Sequence, residues 1–167
     1  MVLLVLGFKC RLENVSCVEF PISVPFTFTV KDPVGCEVRE NVVVDPCDVS
    51  PVEGGRGEAH FVVKFEGQMK QSSIVIVDDA KKCTGKFDEK DEEKGEFVPI
   101  RAFECRNVDV LDWDRFSGGG DECGVKVISK GGTTFEQVKL DDDWFEYCEK
   151  CGESVSVTEI EFEFARS

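Results

Sequence analysis

The chain has 167 residues, of which 34 are acidic and 20 are basic, so its formal net charge is −14. This charge argues against binding to nucleic acid, whose phosphates require a basic face, and against binding to an anionic membrane surface. Nine cysteines are present, and residues 1–8 are apolar but lack the basic flank and cleavage site of a secretory signal. We therefore expect a soluble protein of the reducing cytoplasm or nucleus, with most of its cysteines as buried thiols.

Alternating apolar and polar residues predict β-strands through the first half of the chain. The predicted strands cover residues 2–12, 26–30 and 38–44. A hairpin follows, in which a glycine-rich turn precedes two strands that a polar turn separates. These two strands are predicted at residues 60–65 and 74–77.

Residues 83–96 are rich in lysine and acidic residues, which predicts a solvated mobile loop or, alternatively, an acidic interaction segment. This linker divides a single compact unit into an N-terminal β half, residues 1–82, and a C-terminal β half, residues 97–167. Further strands are predicted at residues 97–103, 108–113, 125–128 and 155–164, the last with a β-bulge at Thr158-Glu159. The acidic run 141–143 before Trp144 predicts the start of one short helix. The fold class is therefore mainly β.

A short repeated sequence motif, called the echo below, relates the two halves. Phe8-Lys9-Cys10-Arg11 is followed by Asn14-Val15, and Phe103-Glu104-Cys105-Arg106 is followed by Asn107-Val108. Each half also carries a glycine-rich turn before a valine-rich run. We interpret the echo as a duplicated β-unit with pseudo-two-fold packing.

Cys148-Glu149-Lys150-Cys151 is the one C-x-x-C motif in the sequence. This spacing lets two thiolates grip one metal ion, but structural zinc takes four ligands and a second motif is absent. Redox chemistry requires a lowered thiol pKa, whereas Glu146 and Glu149 are expected to raise it. Structural or exposed thiols are therefore the favoured interpretation, and a metal site completed by distant residues or a redox pair are the alternatives.

Two other features are candidate sites. His60 lies in an apolar strand with no evident acid or nucleophile partner, which favours a structural histidine. Gly54-Gly55-Arg56-Gly57 lacks the ending of a phosphate loop and precedes a strand, which favours a turn with positive φ angles. Arg56 is a candidate for a specific ion pair or for recognition of a partner.

Several segments together resemble the CXXC-motif-containing zinc-binding protein family, a eukaryotic family of small proteins. The resemblance covers nearly the whole chain and rests on these segments in this order: Leu12-Glu13-Asn14-Val15, Gly54-Gly55-Arg56-Gly57 before Lys64, Phe103-Glu104-Cys105-Arg106 before Trp113, and Trp144-x-x-Tyr147-x-Glu149-Lys150. It implies an all-β, pseudo-barrel or sandwich-like architecture in two related halves. It also implies a zinc ion held by two C-x-x-C knuckles.

The resemblance places the two knuckles at positions where this sequence lacks three of the four thiols. The first knuckle falls on Pro33 and Cys36, and the second falls on Phe65 and Gln68. One thiolate cannot hold a structural zinc ion. The C-x-x-C motif at 148–151 matches neither knuckle, so we expect packing to replace the metal at this corner.

The sequence thus predicts a non-enzymatic, monomeric interaction module without a cofactor. Its protein partner is unknown, and the interaction or structural residues are Arg56, Gly54, Gly55 and Gly57. One alternative is a zinc-binding protein that uses Cys36 together with Cys148 and Cys151. A second alternative is a thiol redox protein.

Overall fold

The structure is a computed structural model that describes residues 2–21, 24–52, 57–77, 83–113, 125–138 and 143–166. Within these ranges the chain forms fifteen strands and one helix. The elements are β1 Val2–Glu13, β2 Val15–Glu19, β3 Phe26–Lys31, β4 Val38–Val44, β5 Ser50–Pro51, β6 Glu58–Ala59, β7 Phe61–Val63, β8 Ser72–Val77, β9 Lys86–Asp88, α1 Glu89–Lys94, β10 Val98–Arg106, β11 Asp109–Trp113, β12 Val125–Ser129, β13 Thr134–Val138, β14 Trp144–Cys148 and β15 Glu153–Arg166.

The central layer is a six-stranded antiparallel sheet in the order β14-β15-β1-β10-β8-β7. The strand pair β1 and β10 forms its middle, with Leu4 opposite Phe103. The long strand β15 pairs with β1, and the register shifts opposite the predicted bulge, where Glu159 has a φ angle of 51°. The β7–β8 hairpin forms as the sequence predicts.

Two smaller sheets flank the central one, and each combines strands from both halves of the chain. After β1, Asn14 turns with a φ angle of 55° into β2, which pairs with β12 of the second half. After β10, Asn107 turns with a φ angle of 57°, and β11 then pairs with β3 of the first half. Asparagine tolerates this left-handed conformation better than most residues do. The echo in the sequence therefore marks two equivalent corners of the fold.

The strand pairings follow one pattern twice. Strands β1, β2, β3, β4, β7 and β8 correspond in chain order to β10, β11, β12, β13, β14 and β15, and each pairing in the first set recurs in the second. The two halves are thus related, as expected. The β3–β4 and β7–β8 turns of the first half correspond to the β12–β13 and β14–β15 turns of the second.

An aromatic core lies between the sheets. Phe8 and Phe103, the first residues of the two echo segments, are both fully buried. Phe8 packs edge-on against Phe20 at a ring separation of 5.0 Å, and Phe103 packs edge-on against Phe28 at the same separation. Fully burying such a side chain contributes about 2–3 kcal/mol, so these rings anchor both halves.

The helix predicted to begin at Trp144 is wrong. Residues 144–148 form β14, which pairs with β15 from Trp144 opposite Val157 to Cys148 opposite Glu153. The side chains alternate, because Cys148 is buried while Phe145 and Tyr147 face solvent. The pairing with β15 satisfies the backbone hydrogen bonds of this segment, and it outweighs the helix-start signal of the preceding acidic run.

The helix that does form lies in the segment 83–96, where the sequence predicts a loop. Strand β9 and helix α1 occupy part of this segment. Asp88 caps the helix by accepting a hydrogen bond from the Asp91 N–H, and the Asp91 carboxylate accepts one from the Asp88 N–H. This reciprocal pairing satisfies two amides that the first turn leaves free, which is why so acidic a segment is ordered. Within the described ranges no helix is long and apolar enough to cross a membrane.

Candidate functional site

Two corners of the molecule have the same arrangement of turns, but different side chains lie between those turns. The Asp32 corner is formed by the β3–β4 turn, residues 32–37, and the β7–β8 turn, residues 64–71. The Cys148 corner is formed by the β12–β13 turn, residues 129–133, and the β14–β15 turn, residues 148–152. Because the strands correspond in order and pairing, each turn of one corner has a counterpart in the other.

In the Asp32 corner a buried carboxylate joins the two turns. The Asp32 side chain accepts a hydrogen bond from the Val34 N–H at 3.1 Å and from the Gln68 side-chain amide at 3.1 and 3.3 Å. The Asp32 residue is 1% exposed. A Cβ atom added at Gly35 would lie 2.7 Å from the Asp32 carboxylate, so the turn requires glycine there for close approach.

These hydrogen bonds set the charge state of Asp32. Burial acts to raise the pKa of Asp32, but hydrogen bonds from the Val34 N–H, the Gln68 amide and the Gly35 N–H outweigh it, and the pKa lies below its ordinary value. The carboxylate is therefore ionised at neutral pH. It serves as an acceptor that fixes both turns.

Phe65 fills the apolar side of the Asp32 corner. Its side chain is 1% exposed and belongs to the hydrophobic core. The Arg39 guanidinium lies 5.6 Å from the centre of the ring, a cation–π contact. The Glu37 carboxylate pairs with Arg39 and accepts a hydrogen bond from the Glu66 N–H at 3.1 Å, which adds a second link between the turns.

In the Cys148 corner two thiols take the place of the phenyl ring and the amide. The buried Cys148 sulfur lies 3.3 Å from the Thr133 hydroxyl and 3.6 Å from the Ser129 hydroxyl. Cys151 is partly exposed and hydrogen-bonded to Cys148 through its thiol. A Cβ atom added at Gly131 would lie 2.5 Å from the Cys151 sulfur, so the thiol pair packs directly on the opposite turn.

The thiols of this corner differ from the other buried cysteines. Hydrogen bonds from the Cys151 thiol and the Thr133 hydroxyl lower the pKa of Cys148 to about 6 against the effect of burial, and the pKa of Cys151 is raised chiefly by its hydrogen bond to Cys148. The expectation that neighbouring acids raise the Cys148 pKa is wrong, because hydrogen bonds to the thiolate dominate. By contrast, burial raises the pKa of Cys105 to about 11.

Known proteins share both the sequence pattern and the fold. The family model described as "CXXC motif containing zinc binding protein, eukaryotic" matches residues 5–165. The chain belongs to this family. A member from Bos taurus is 32% identical over 165 residues, 96% of each chain, and one from Homo sapiens is 30% identical over the same share. A UPF0587 protein of Schizosaccharomyces pombe is 24% identical and covers 80% of this chain and 78% of its own.

Two solved structures have the same architecture. A hypothetical protein from Plasmodium falciparum has a TM-score of 0.84 and 24% identity, and covers 99% of this chain and 100% of its own. The crystal structure of C1orf123 has a TM-score of 0.82 and 25% identity, and covers 99% of each chain. The all-β fold in two related halves is therefore confirmed.

The family is described as zinc-binding, and the resemblance assigns its ligands to the Asp32 corner. Of the four positions there, Pro33 and Cys36 are exposed, Phe65 is buried, and the Gln68 amide donates to Asp32. This set supplies one thiol where structural zinc takes four ligands. The residues at this corner do not fit the metal.

The alternative ligand set is not brought together either. Cys36 lies in the β3–β4 turn, while Cys148 and Cys151 lie in the β14–β15 turn. Among the residues whose positions are described, no group of three or more His, Cys, Asp or Glu side chains is arranged to hold a metal ion. The use of these three cysteines as ligands stays a prediction.

The remaining predicted residues have separate places. His60 is half-buried, and its Nδ1 atom accepts a hydrogen bond from the Ile76 N–H at 2.9 Å, which matches a structural histidine. Gly57 has a φ angle of 110°, as the predicted turn requires. Gly54, Gly55 and Arg56 lie outside the described residues, so the role of Arg56 stays a prediction.

Sequence reasoning missed the residues that complete both corners. Asp32, Gly131 and Thr133 lie in the β3–β4 and β12–β13 turns, Ser129 ends β12, and none of the four is a candidate in the sequence analysis. The signal that could have found them is the order of predicted strands in the two halves. Aligning the halves strand by strand would have placed Cys148 and Cys151 in the turn equivalent to the second knuckle.

The outer edge of the central sheet carries a second feature. Strand β14 pairs with β15 and, among the described residues, with no other strand. Phe145 and Tyr147 lie on the same face of this edge strand and are 68% and 55% exposed. Exposed aromatic residues beside an open strand edge are typical of a binding surface rather than of a monomer's ordinary exterior.

Proposed function

We propose that this protein is a non-enzymatic protein-interaction module that binds its partner along the β14 edge. The observation that carries the proposal is the pair of exposed aromatic rings, Phe145 and Tyr147, on an edge strand. An extended segment of a partner would add to the sheet through backbone hydrogen bonds, and the two rings would contact its alternate side chains. Aromatic residues of this kind dominate the energetics of interfaces.

Charge favours a basic partner segment. Exposed acids lie along or beside the edge at Asp143, Glu146, Glu149 and Glu153, with Lys150 as a nearby cation. The whole chain carries a net charge of −14. Complementary charge increases the rate of association and suppresses acidic competitors. The partner's segment is therefore expected to be extended, with lysine or arginine beside apolar residues.

A capture experiment with matched variants tests this proposal. The full chain, Phe145→Ser/Tyr147→Ser and Leu111→Ser are immobilised and exposed to a eukaryotic cell extract at low and moderate salt. Leu111 is also an exposed apolar residue, at 52%, but lies on β11 in another sheet. The wild type and Leu111→Ser should retain the same partner, less of it at higher salt, and the double variant should lose it.

Equal retention by all three proteins would contradict the β14 surface. Failure of the wild type to retain any reproducible partner would contradict the interaction module itself. A partner that passes this test is then added to labelled protein, and NMR signals of β14 should shift. Shifts confined to other strands would place the interface elsewhere.

We also propose that this chain does not use the family's zinc site. Support comes from the Asp32 corner, where Phe65 is in the core and Gln68 donates to Asp32. Elemental analysis of tag-free protein should give well under one zinc per chain. About one equivalent would contradict the proposal, and loss of that zinc in Cys36→Ser but not in Cys47→Ser would support the alternative that uses Cys36, Cys148 and Cys151.

A restored variant provides the positive control. Pro33→Cys, Phe65→Cys and Gln68→Cys together with the natural Cys36 supply the four thiols that a structural zinc takes. This variant should bind about one zinc per chain. Binding by the restored variant but not by the wild type would show that substitution of the ligands explains the difference.

A further inference from the structure

We propose that Cys148 and Cys151 form a reversible dithiol–disulfide site that exchanges with small disulfides, with Cys151 as the residue that receives the incoming disulfide and Cys148 as the residue that resolves it. The proposal does not rest on a partner that binds β14 or on the absence of zinc from the Asp32 corner. It concerns the Cys148 corner alone, and nothing in the family description assigns a role to this pair.

The geometry of the turn brings the two sulfurs together. The Gly152 N–H donates to the Cys148 carbonyl at 2.9 Å, which closes a tight turn around three residues, the last of which is Cys151. A Cβ atom added at Gly131 would lie 2.5 Å from the Cys151 sulfur and 3.8 Å from the Cys148 sulfur, so both sulfurs face the same point of the opposite turn. All eight described cysteines are free thiols, so the site is seen in its reduced form.

The opposite turn holds the pair in place. Gly131 lies so close to the Cys151 sulfur that no side chain is tolerated there without movement, and the Ser129 and Thr133 hydroxyls lie beside the Cys148 sulfur. These hydroxyls are fixed in turn, because the Thr133 N–H donates to the Ser129 oxygen at 3.0 Å. These contacts distinguish the pair from exposed thiols such as Cys36 and Cys47.

The difference in exposure between the two sulfurs determines which of them an incoming disulfide reaches first. Cys148 is fully buried and Cys151 is partly exposed. An incoming disulfide therefore meets the Cys151 sulfur first. Cys148 then attacks within the same turn, where proximity makes the second step effectively unimolecular.

The thiol–disulfide exchange takes two steps, in which bonds, electron pairs and protons are all accounted for. Cys151 gives up its proton and attacks one sulfur of the small disulfide. The S–S bond of that disulfide breaks, and the first small thiol leaves with the electron pair and takes up this proton. Cys148 then gives up its proton and attacks the Cys151 sulfur of the mixed disulfide. The bond between Cys151 and the small sulfur breaks, and the second small thiol leaves with that electron pair and the Cys148 proton. Two protein thiols are oxidised to one disulfide, and one small disulfide is reduced to two thiols.

The charged residues around the thiol pair favour cationic small disulfides over anionic ones. The flanking acids Glu146, Glu149 and Glu153 are exposed around the turn, with Lys150 as the one cation between the two cysteines. Such a field repels anionic reagents and attracts cationic ones. The site is therefore expected to react faster with cystamine than with oxidised glutathione, and added salt should reduce the ratio of the two rates.

The test uses the full reduced chain with Cys36→Ser and Cys47→Ser as the background, which removes the two thiols that are exposed among the described residues. The protein is mixed with cystamine or oxidised glutathione, quenched by alkylation, digested and examined by mass spectrometry. The expected product is a peptide linked between Cys148 and Cys151 that has lost two hydrogen atoms. Reduced glutathione should restore both thiols.

Single substitutions separate the two roles. Cys148→Ser should accumulate one mixed disulfide at Cys151, whereas Cys151→Ser should form none at the buried Cys148. Should either variant fail to fold, the linked peptide and the salt-dependent rate ratio of the native pair decide the question. Cys148 and Cys151 staying reduced while other cysteines react, or a mixed disulfide at Cys151 that never resolves, would overturn the proposal.

Discussion

The Asp32 corner and the Cys148 corner are the same arrangement of two turns, joined by different side chains. In the first, a buried phenyl ring and a carboxylate–amide pair join the turns. In the second, two thiols and two hydroxyls join them. The groups that join the turns of the Asp32 corner are not readily oxidised. The second is closed by groups that can be oxidised.

The comparison shows that the two halves of a duplicated scaffold can join equivalent turns with different side chains. The two-turn corner requires something to join its turns, because loops that meet without partners leave polar groups unsatisfied. Phe65 and Gln68 lie in the β7–β8 turn, Cys148 and Cys151 lie in the β14–β15 turn, and the members of each pair are three positions apart. A C-x-x-C pair is thus present at the corner opposite to the one where the family resemblance places it.

The largest expected effect comes from the ring of the Asp32 corner. Phe65→Ala should lower the free energy of unfolding by about 3–5 kcal/mol, since it removes a fully buried ring and leaves a cavity. The counterpart substitution Cys148→Ala removes a single sulfur and should cost about 1 kcal/mol. Urea denaturation of both variants measures the difference.

Met69 provides the control for Phe65. It lies in the same turn but is 92% exposed, so Met69→Ala should change the unfolding free energy by less than about 0.5 kcal/mol. If Phe65→Ala and Met69→Ala had equal effects, packing would not be what closes this corner.

The sequence predicts most of the fold because strands are encoded locally. Alternation places β1, β3 and β15 correctly, and the echo around Asn14 and Asn107 identifies the duplication. Strand β14 was missed because an acidic run before aromatic residues is also a helix-start pattern, and its pairing with β15 decided the outcome. When a segment carries both helix and strand patterns, the elements that it packs or pairs with in the fold determine which structure it adopts.

The candidate sites could not be predicted to the same extent. The family resemblance located the Asp32 corner, but the carboxylate that joins its turns is contributed by Asp32, beside the expected ligand position rather than at it. At the Cys148 corner, Thr133 and Cys148 are fifteen residues apart in sequence. Hydrogen bonds between separate turns depend on strand order in space, which no local pattern of residues contains.

The second prediction concerns close packing in the Cys148 corner. Gly131→Ala places a methyl group against the Cys151 sulfur and should lower the free energy of unfolding by about 1–2 kcal/mol. In the Cys151→Ala background the sulfur is gone, so the same substitution should cost measurably less. Urea denaturation of the four proteins gives the coupling between the two positions. Additive effects would mean that Gly131 and Cys151 do not press on each other.

The smallest expected effect is a pH dependence that belongs to the Asp32 corner. The pKa of Asp32 is lowered on folding, so its carboxylate stabilises the fold fully above the ordinary aspartate pKa of about 4, and this stabilisation is lost as the pH falls through the lowered value. Asp32→Asn keeps an acceptor oxygen for the turn but removes the charge. The stability difference between wild type and Asp32→Asn should therefore be largest near neutral pH and shrink below about pH 4.

Gln68→Ala decides whether the amide is responsible for this dependence. Gln68 donates to both carboxylate oxygens of Asp32, so its removal should bring the Asp32 pKa closer to the ordinary value and reduce the pH-dependent stability difference that Asp32→Asn causes. Denaturation curves collected between acidic and neutral pH, with and without Asp32→Asn in both backgrounds, measure this directly. If the pH dependence is the same with and without the Gln68 amide, the backbone N–H groups of the turn are what lower the Asp32 pKa. The two turns of the corner would then be joined by the packing of Phe65 and the Glu37 contact rather than by the Asp32–Gln68 hydrogen bonds.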